Sequence, residues 1–209
     1  WYADPNDGSG FGFRTARKFT DSSSWVHFCM GIDTTASSGS RLKVEINGVD
    51  QGQPSATAGS LLQNNQGGSA LPTEPSLNQD MNLNKASAVY NIGRRTLTSG
   101  SPLDGYLANY YFIDGEKKQA SDFGQLDTST NRWVPKAYSG NFNDNGWKLA
   151  FGTAPGTGSG AGTDTSGEGH NWTENNFTAS DQVTDSPSKN FAVYDTVKGA
   201  VYTAMSMSN

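Results

Sequence analysis

Hydrophobic and polar residues alternate in two parts of this chain, and each part predicts a pair of β-strands. The first part predicts strands at 25–33 and 41–47, and the second predicts strands at 88–93 and 104–113. Alternate side chains of a strand point to the same face, so the apolar residues would line one face of a sheet. Asn47-Gly48 follows the second strand and is a hairpin signal, because both residues tolerate positive φ. The pattern therefore predicts an all-β protein, built as an antiparallel β-sandwich of two sheets.

Composition divides the chain into two parts. Residues 1–151 hold the predicted strands and are expected to form the sandwich. They include a long polar stretch at 50–85, and such a stretch inside a compact domain is usually functional or mobile. Residues 152–209 begin as a Gly-, Thr- and Ser-rich linker and continue as an extended polar C-terminal segment. Ser121 is predicted to be the N-cap of a short helical turn.

The residue content favours many short strands over long helices. Only 33 % of the 209 residues are hydrophobic and 25 are Gly, which suits strands joined by polar turns. The 8 Tyr, 10 Phe and 5 Trp offset the shortage of aliphatic residues, because each aromatic side chain buries a large area. A disordered chain would not carry so many aromatic residues.

Charge and cysteine content exclude several classes of protein. The net charge is −5 and Lys and Arg form no block, so nucleic acid is not an expected partner. No apolar run approaches the roughly 20 residues that span a bilayer, so no membrane insertion is expected. Cys29 is the single cysteine; it excludes an internal disulfide and is interpreted as a small core residue.

Four short motifs follow one another along the predicted strands. They are Trp25-Val-His27-Phe28 with Asp33, Asn47-Gly48, Gly93-Arg94 and Asp104-Gly105-Tyr106-Leu107. In this order and spacing they resemble the later strands of a laminin-G-like, concanavalin A-like jelly roll. Members of that family usually have several strands before the Trp-x-His strand, whereas about 24 residues precede it here. The implied jelly roll is therefore incomplete at its N-terminus, or another segment completes it.

A second group of motifs extends the resemblance to about residues 20–195. These are Ser121-Asp-Phe-Gly124, Trp133-Val-Pro-Lys-Ala-Tyr138, Asp164-Thr-Ser-Gly167, Asn171-Trp172-Thr173 and Asp185-Ser-Pro187. Together they resemble laminin-G-like domains of phage virion structural proteins, especially those of marine and cyanobacterial phages. The resemblance implies a virion location, with other copies of the chain and other virion proteins as partners, and with host-surface polysaccharide as a ligand.

The residues that carry most enzyme chemistry are sparse in this sequence. His27 lies in a predicted strand and is interpreted as structural, and His170 lies in a Gly-rich loop. The five Glu residues are far apart, whereas hydrolases of the same jelly-roll class carry Glu-x-Asp-x-x-Glu on one strand. A glycosidase needs two carboxyl groups about 5–9.5 Å apart. The sequence therefore predicts a protein that is not an enzyme and has no cofactor, with calcium as the metal to consider.

Two sets of residues are candidates for binding. Exposed aromatic side chains could stack on sugar rings, and the candidates are Trp147, Trp172, Tyr110 and Tyr111. Asp104 and Asp164 are candidate calcium ligands, although an Asp that caps its own turn is the commoner arrangement. Trp25 and Phe112 are predicted to be core residues.

Three functions are consistent with these patterns. The leading one is a non-enzymatic virion structural or appendage protein, such as a fibre, tail or capsid-surface component, with a jelly roll suited to host glycans. The second is a purely architectural component without a ligand. The third is a polysaccharide-degrading enzyme. In either virion role, the C-terminal segment or an open sheet edge is expected to contact other copies.

Overall fold

The structure of the chain is a computed structural model. It describes residues 2–3, 11–21, 23–55, 57, 59–63, 65–66, 69–70, 72–81, 90–93 and 103–188. The first two residues of the predicted strand at 88–93, Arg94 of the Gly-Arg motif, and the end of the chain from residue 189 lie outside this described part.

Within the described part, nearly all regular structure is β-strand, and every pair of strands is antiparallel. The strands are β1 (Tyr2–Ala3), β2 (Phe11–Gly12), β3 (Arg14–Thr15), β4 (Phe28–Ile32), β5 (Leu42–Ile46), β6 (Val49–Asp50), β7 (Leu62–Gln63), β8 (Asn65–Gln66), β9 (Ser69–Ala70), β10 (Tyr110–Phe112), β11 (Gly124–Asp127), β12 (Arg132–Pro135) and β13 (Trp147–Leu149). The remaining elements are α1 (Ala120–Phe123) and two 3₁₀ turns, Gly160–Gly162 and Ala179–Asp181. The predicted all-β class is confirmed.

The sheet β4-β5-β6 is the largest in the described part. Strands β4 and β5 pair from Phe28↔Ile46 to Ile32↔Leu42, close to the predicted spans 25–33 and 41–47. The predicted hairpin at Asn47-Gly48 is confirmed, since both residues have positive φ, 49° and 76°, as a type I′ turn requires. This turn matches the twist of the two strands that it joins and fixes their register.

Both faces of this sheet are covered. Leu42 and Val44 point to one face and form a buried cluster with Phe13 and Leu62, against which Met30 and Ile32 also pack. Cys29 and Glu45 are directly paired and point to the opposite face, because strand side chains alternate. There the Ala120 N–H donates to Glu45 Oε2 at 2.9 Å, which seats α1 against the sheet.

The N-cap of the helical turn lies two residues earlier than predicted. Gln119, rather than Ser121, is the N-cap of α1. Its N–H donates to the Asp122 carboxylate at 2.8 Å, and the next N–H donates to Glu45. A local bond to Asp122 and a tertiary bond from the sheet therefore both hold the start of the turn, at Gln119 rather than at Ser121.

The second half of the chain is built around the pair β10–β13. Tyr110 pairs with Leu149 and Phe112 pairs with Trp147. The predicted strand at 104–113 shortens to three residues, because Asn109 has a left-handed backbone (φ 52°) that ends the extended conformation. The prediction of a strand over 88–93 is wrong for residues 90–93, which form no strand and where Gly93 also has positive φ.

The described part of the predicted C-terminal segment packs back on the same chain. Leu149 forms an antiparallel bridge with Asp164, and the Thr165 N–H donates to the Lys148 carbonyl at 2.8 Å. The loops before β10 and after β13 are thereby brought next to residues 171–186. Among the described residues, no helix has the length and apolar character needed to cross a membrane.

Candidate functional site

A cleft of about 960 Å³ lies beside the pair β10–β13. Its walls come from residues 90–93 and 103–109, from the loop that begins at Leu149, and from residues 171–177 and 181–186, with Trp25 at one side. Clefts of roughly 300–1,000 Å³ are the size that small ligands occupy. This cleft is the candidate site.

Asp164 holds the loop that carries one wall of the cleft. Its Oδ1 accepts N–H bonds from Lys148 at 2.9 Å and Ser166 at 2.8 Å, and its Oδ2 accepts bonds from the Ser166 hydroxyl and the His170 N–H. Burial tends to raise the pKa of Asp164, but these donors outweigh it and the pKa is lowered. The ionised carboxylate therefore joins β13 to the loop that follows it.

Glu174 holds a second part of the same loop. Its two oxygens accept backbone N–H bonds, one from Gly156 at 2.9 Å and one from Ala161. The Trp172 N–H, two residues earlier, donates to the Gly162 carbonyl at 2.8 Å. Residues 171–174 are thus tied to two turns of the loop, which fixes the position of Trp172.

The four aromatic candidates do not come together in one site. Trp147 is 5 % exposed and stacks on Tyr110 at 5.4 Å and on Phe112 at 5.7 Å, so these two side chains cover it. Trp172 packs edge-on against Trp147 with ring centroids 4.8 Å apart and lines the cleft. Of these candidates, Trp172 is therefore the one placed in the cleft wall.

Tyr110 and Tyr111 point to opposite faces of β10. The side chain of Tyr110 is 41 % exposed but is not part of the cleft lining. Tyr111 packs among Phe123, Tyr138 and Phe142, with the Lys148 ammonium 5.4 Å from its ring centroid. These four aromatic side chains form a small cluster on the face of β10 opposite to Tyr110. Tyr111 is therefore a packing residue.

Other aromatic residues, which the sequence reasoning missed, line the cleft. Tyr106 is 62 % exposed and Phe177 is 54 % exposed, and both lie in its wall. Tyr106 belongs to the Asp104-Gly105-Tyr106-Leu107 motif, so the motif marked the place but not the role. Phe177 is flanked by polar residues in the sequence. An aromatic residue in such a segment was the signal that could have indicated it.

The prediction that Trp25 and Phe112 are core residues needs correction. Both side chains are half-buried. Trp25 lies in the cleft wall, and its indole Nε1–H donates to Asp185 Oδ2 at 3.2 Å. That bond connects residues 160 positions apart, which is why the local pattern did not indicate it. Phe112 covers one face of Trp147 without being fully buried.

The cleft carries negative charge. Glu174, Asp181 and Asp185 all lie in its wall, and none of the described lining residues is Lys, Arg or His. The Thr178 N–H and hydroxyl both bond Asp181 Oδ2 and lower the pKa of that carboxyl group. These acidic side chains are accompanied by carboxamides of Asn91, Asn109, Asn171, Asn175 and Gln182.

The calcium candidates differ in their surroundings. Asp164 uses both carboxylate oxygens on protein donors, which is the turn-capping arrangement. Asp104 is exposed in the loop before β10. Across the described residues, no three His, Cys, Asp or Glu side chains are grouped so that they could hold a metal ion. The structure thus gives Asp164 a structural role.

The titratable groups around Glu45 are also structural. The Trp133 indole N–H donates to His27 Nδ1 at 2.8 Å, and the two rings stack with centroids 5.9 Å apart. Burial, with the Glu45 carboxylate as a second cause, raises the pKa of the Cys29 thiol to about 12. A thiol with that pKa stays protonated and is a poor nucleophile.

Comparison with protein-family models, with curated proteins and with solved structures gives no match to this chain.

Proposed function

We propose that this chain is a non-enzymatic surface protein that binds glycans in the cleft. The observation that carries the proposal is the lining: six aromatic residues occur together with five carboxamide side chains among the described residues. The aromatic residues are Trp25, Tyr90, Tyr106, Phe151, Trp172 and Phe177. Sugar rings have apolar C–H faces that pack on aromatic rings, and hydroxyl groups that exchange hydrogen bonds with carboxamides. Apolar walls with a few fixed polar groups are typical of ligand sites.

The finer fold and the location belong to the same proposal. The antiparallel sheets are those of a β-sandwich, a concanavalin A-like jelly roll, on a virion appendage or capsid surface. The support is the order of the sequence motifs, from the Trp25 strand to Asp185, together with the all-β class. Partners in this role are other copies of the chain, other virion proteins and host polysaccharide. Imaging a particle that contains the chain, at a resolution that traces its strands, tests both the fold and the location.

Two phenylalanines provide a matched test of glycan binding. Phe177 is 54 % exposed in the cleft wall, and Phe19 is 47 % exposed outside the cleft. On a glycan that binds the wild-type protein, Phe177→Ala should weaken affinity about tenfold, from the loss of roughly 1–2 kcal/mol of apolar contact. Phe19→Ala should leave affinity unchanged. Equal effects of the two variants in titration calorimetry would place the binding elsewhere.

A polysaccharide hydrolase is the second candidate, because three carboxyl groups line the cleft. A glycosidase acid must carry a proton near neutral pH, so its pKa is normally raised. The pKa of Asp181 is instead lowered, and Glu174 is occupied by two backbone N–H groups. These features favour binding without hydrolysis. Release of reducing ends that stops in Glu174→Gln or Asp185→Asn would establish the hydrolase.

A purely architectural role predicts a different result. In that case the cleft would hold no sugar, and no member of a broad glycan array would bind above background. Binding by the wild-type chain that Phe177→Ala weakens about tenfold separates the two roles.

A further inference from the structure

The charge of the cleft limits which glycans it can accept. Glu174, Asp181 and Asp185 lie in its wall, and the described lining residues include no cationic side chain. A ligand that carries carboxylate or sulfate groups would meet like charge there. An uncharged ligand would meet strong hydrogen-bond acceptors, because carboxylate oxygens take bonds from hydroxyl groups.

Two of these carboxylates keep an oxygen that can face a ligand. Both bonds from Thr178 reach Asp181 at Oδ2, and the bond from Trp25 reaches Asp185 at Oδ2. Within the described part of the chain, neither Oδ1 accepts a hydrogen bond, and both residues are exposed. Glu174 differs, since both of its oxygens accept backbone bonds. Asp181 and Asp185 are therefore the acidic groups available to a sugar.

We propose that the cleft selects uncharged glycans, whose hydroxyl groups donate to Asp181 and Asp185, over glycans that carry uronate, sialate or sulfate. This inference rests on the proposed glycan-binding function and specifies the class of ligand. Two like charges about 6 Å apart, at an effective dielectric constant between those of water and of a protein surface, repel enough to weaken binding about tenfold. Salt screens this repulsion, so the preference should shrink as ionic strength rises.

The experiment compares one polysaccharide in two chemical forms. Uronate-containing polysaccharides are immobilised beside their carboxyl-reduced derivatives, which keep the same linkages but replace each carboxylate with a hydroxymethyl group. Binding of the full chain is measured at low and at high salt. We expect the reduced form to bind at least tenfold more tightly than the uronate form at low salt. The difference in affinity should be smaller at high salt.

Variants of the cleft assign the preference to the named carboxylates. Asp181→Asn with Asp185→Asn should narrow the difference between the two forms, while Asp144→Asn, an exposed acid outside the cleft, should leave it unchanged. Asn175→Asp adds a fourth carboxylate to the wall and should widen the difference, which keeps the test decisive if the double variant folds poorly.

The outcomes separate the two claims. Equal or tighter binding of the uronate form to the wild-type chain overturns the charge selection while leaving glycan binding intact. A preference that neither the double variant nor Asn175→Asp changes also overturns it. Absence of binding to either form of every polysaccharide removes the proposed function, and the inference falls with it.

Discussion

The Asp164 carboxylate accepts four hydrogen bonds. One comes from Lys148 in β13, two come from Ser166 and one comes from His170 in the loop that follows. Replacing it with Asn turns one acceptor oxygen into an N–H₂ group that faces N–H donors. We expect Asp164→Asn to lower the free energy of unfolding by about 2 kcal/mol, as hydrogen bonds to charged groups contribute roughly 1.5–3 kcal/mol. Urea unfolding measures the loss. Asp104→Asn, an exposed acid, is the control and should change stability by less than about 0.5 kcal/mol.

The same carboxylate gives an acid-dependent contribution. Because the pKa of Asp164 is lower in the folded chain than its ordinary value of 3.8, its contribution is complete above that value. The contribution is lost as pH falls from about 4 through the folded pKa. Unfolding curves between pH 5 and pH 2.5 should therefore converge for the wild-type protein and Asp164→Asn. A constant difference over that range would contradict the assignment.

His27 makes stability depend on pH in a higher range. Burial lowers its pKa below the ordinary 6.5, although the Glu45 carboxylate opposes the shift, and Nδ1 must stay unprotonated to accept the Trp133 bond. The unfolded chain thus binds the proton first, and stability should decrease as pH falls below about 6.5 towards the folded pKa. Melting at pH 7.5 and 5.5 tests this, with His27→Gln expected to lose much of the difference. An imidazole pKa of 6.5 or higher by NMR would rule it out.

Among the elements, the β5–β6 hairpin depends on a residue without a side chain. Gly48 and Gly52 both have positive φ, 76° and 71°, but a Cβ at Gly48 would overlap the Trp133 ring, while a Cβ at Gly52 would meet nothing. Gly52→Ala should lose about 1 kcal/mol from backbone strain alone. Gly48→Ala should lose about 1–3 kcal/mol more from the overlap. Similar losses for both variants in denaturant unfolding would show that Trp133 does not pack there.

The strands that could be predicted are those with one face in the core. Leu42 and Val44 of β5 lie in the cluster around Phe13, and Met30 and Ile32 of β4 pack against it. Within the predicted strand at 104–113, Tyr106 and Leu107 are instead exposed and line the cleft. A period-two pattern does not distinguish these cases, since it depends only on residue type and not on what packs above. The left-handed conformation of Asn109 was not indicated either, because Tyr110 follows it and not the Gly that marks a turn at Asn47-Gly48.

At the scale of the whole molecule, the cleft joins residues that are far apart in the sequence. Trp25, Tyr106 and Phe177 lie in its wall. They come from the first, middle and last thirds of the chain. The sequence indicated Trp172 as one of four aromatic candidates for stacking on sugar rings. The sequence does not separate Trp172 from Trp147, since Gly or polar residues flank both. Only the tertiary packing makes one a wall residue and the other a core residue.

Trp147 is where the strand pair and the C-terminal segment meet. It contacts Tyr110 and Phe112 from β10 and Trp172 from the cleft wall. Trp147→Ala should therefore lower the free energy of unfolding by about 3–5 kcal/mol, the range for truncating a buried aromatic side chain. Tyr106→Ala, which removes an exposed ring, should lose less than about 1 kcal/mol. A loss below 1 kcal/mol for Trp147→Ala in guanidinium unfolding would contradict its place in the core.

The most direct test of the glycan cleft is to map binding on the whole molecule. At 22.3 kDa, the chain suits an amide NMR titration with an uncharged oligosaccharide selected from an array. If the cleft is the site, chemical-shift changes will concentrate in residues 103–109, 171–177 and 181–186, and in Phe177→Ala the same changes will need about tenfold more ligand. Shifts concentrated around Tyr111 and Phe142, or on the β4-β5-β6 sheet, would contradict the account, as would an array on which no glycan binds.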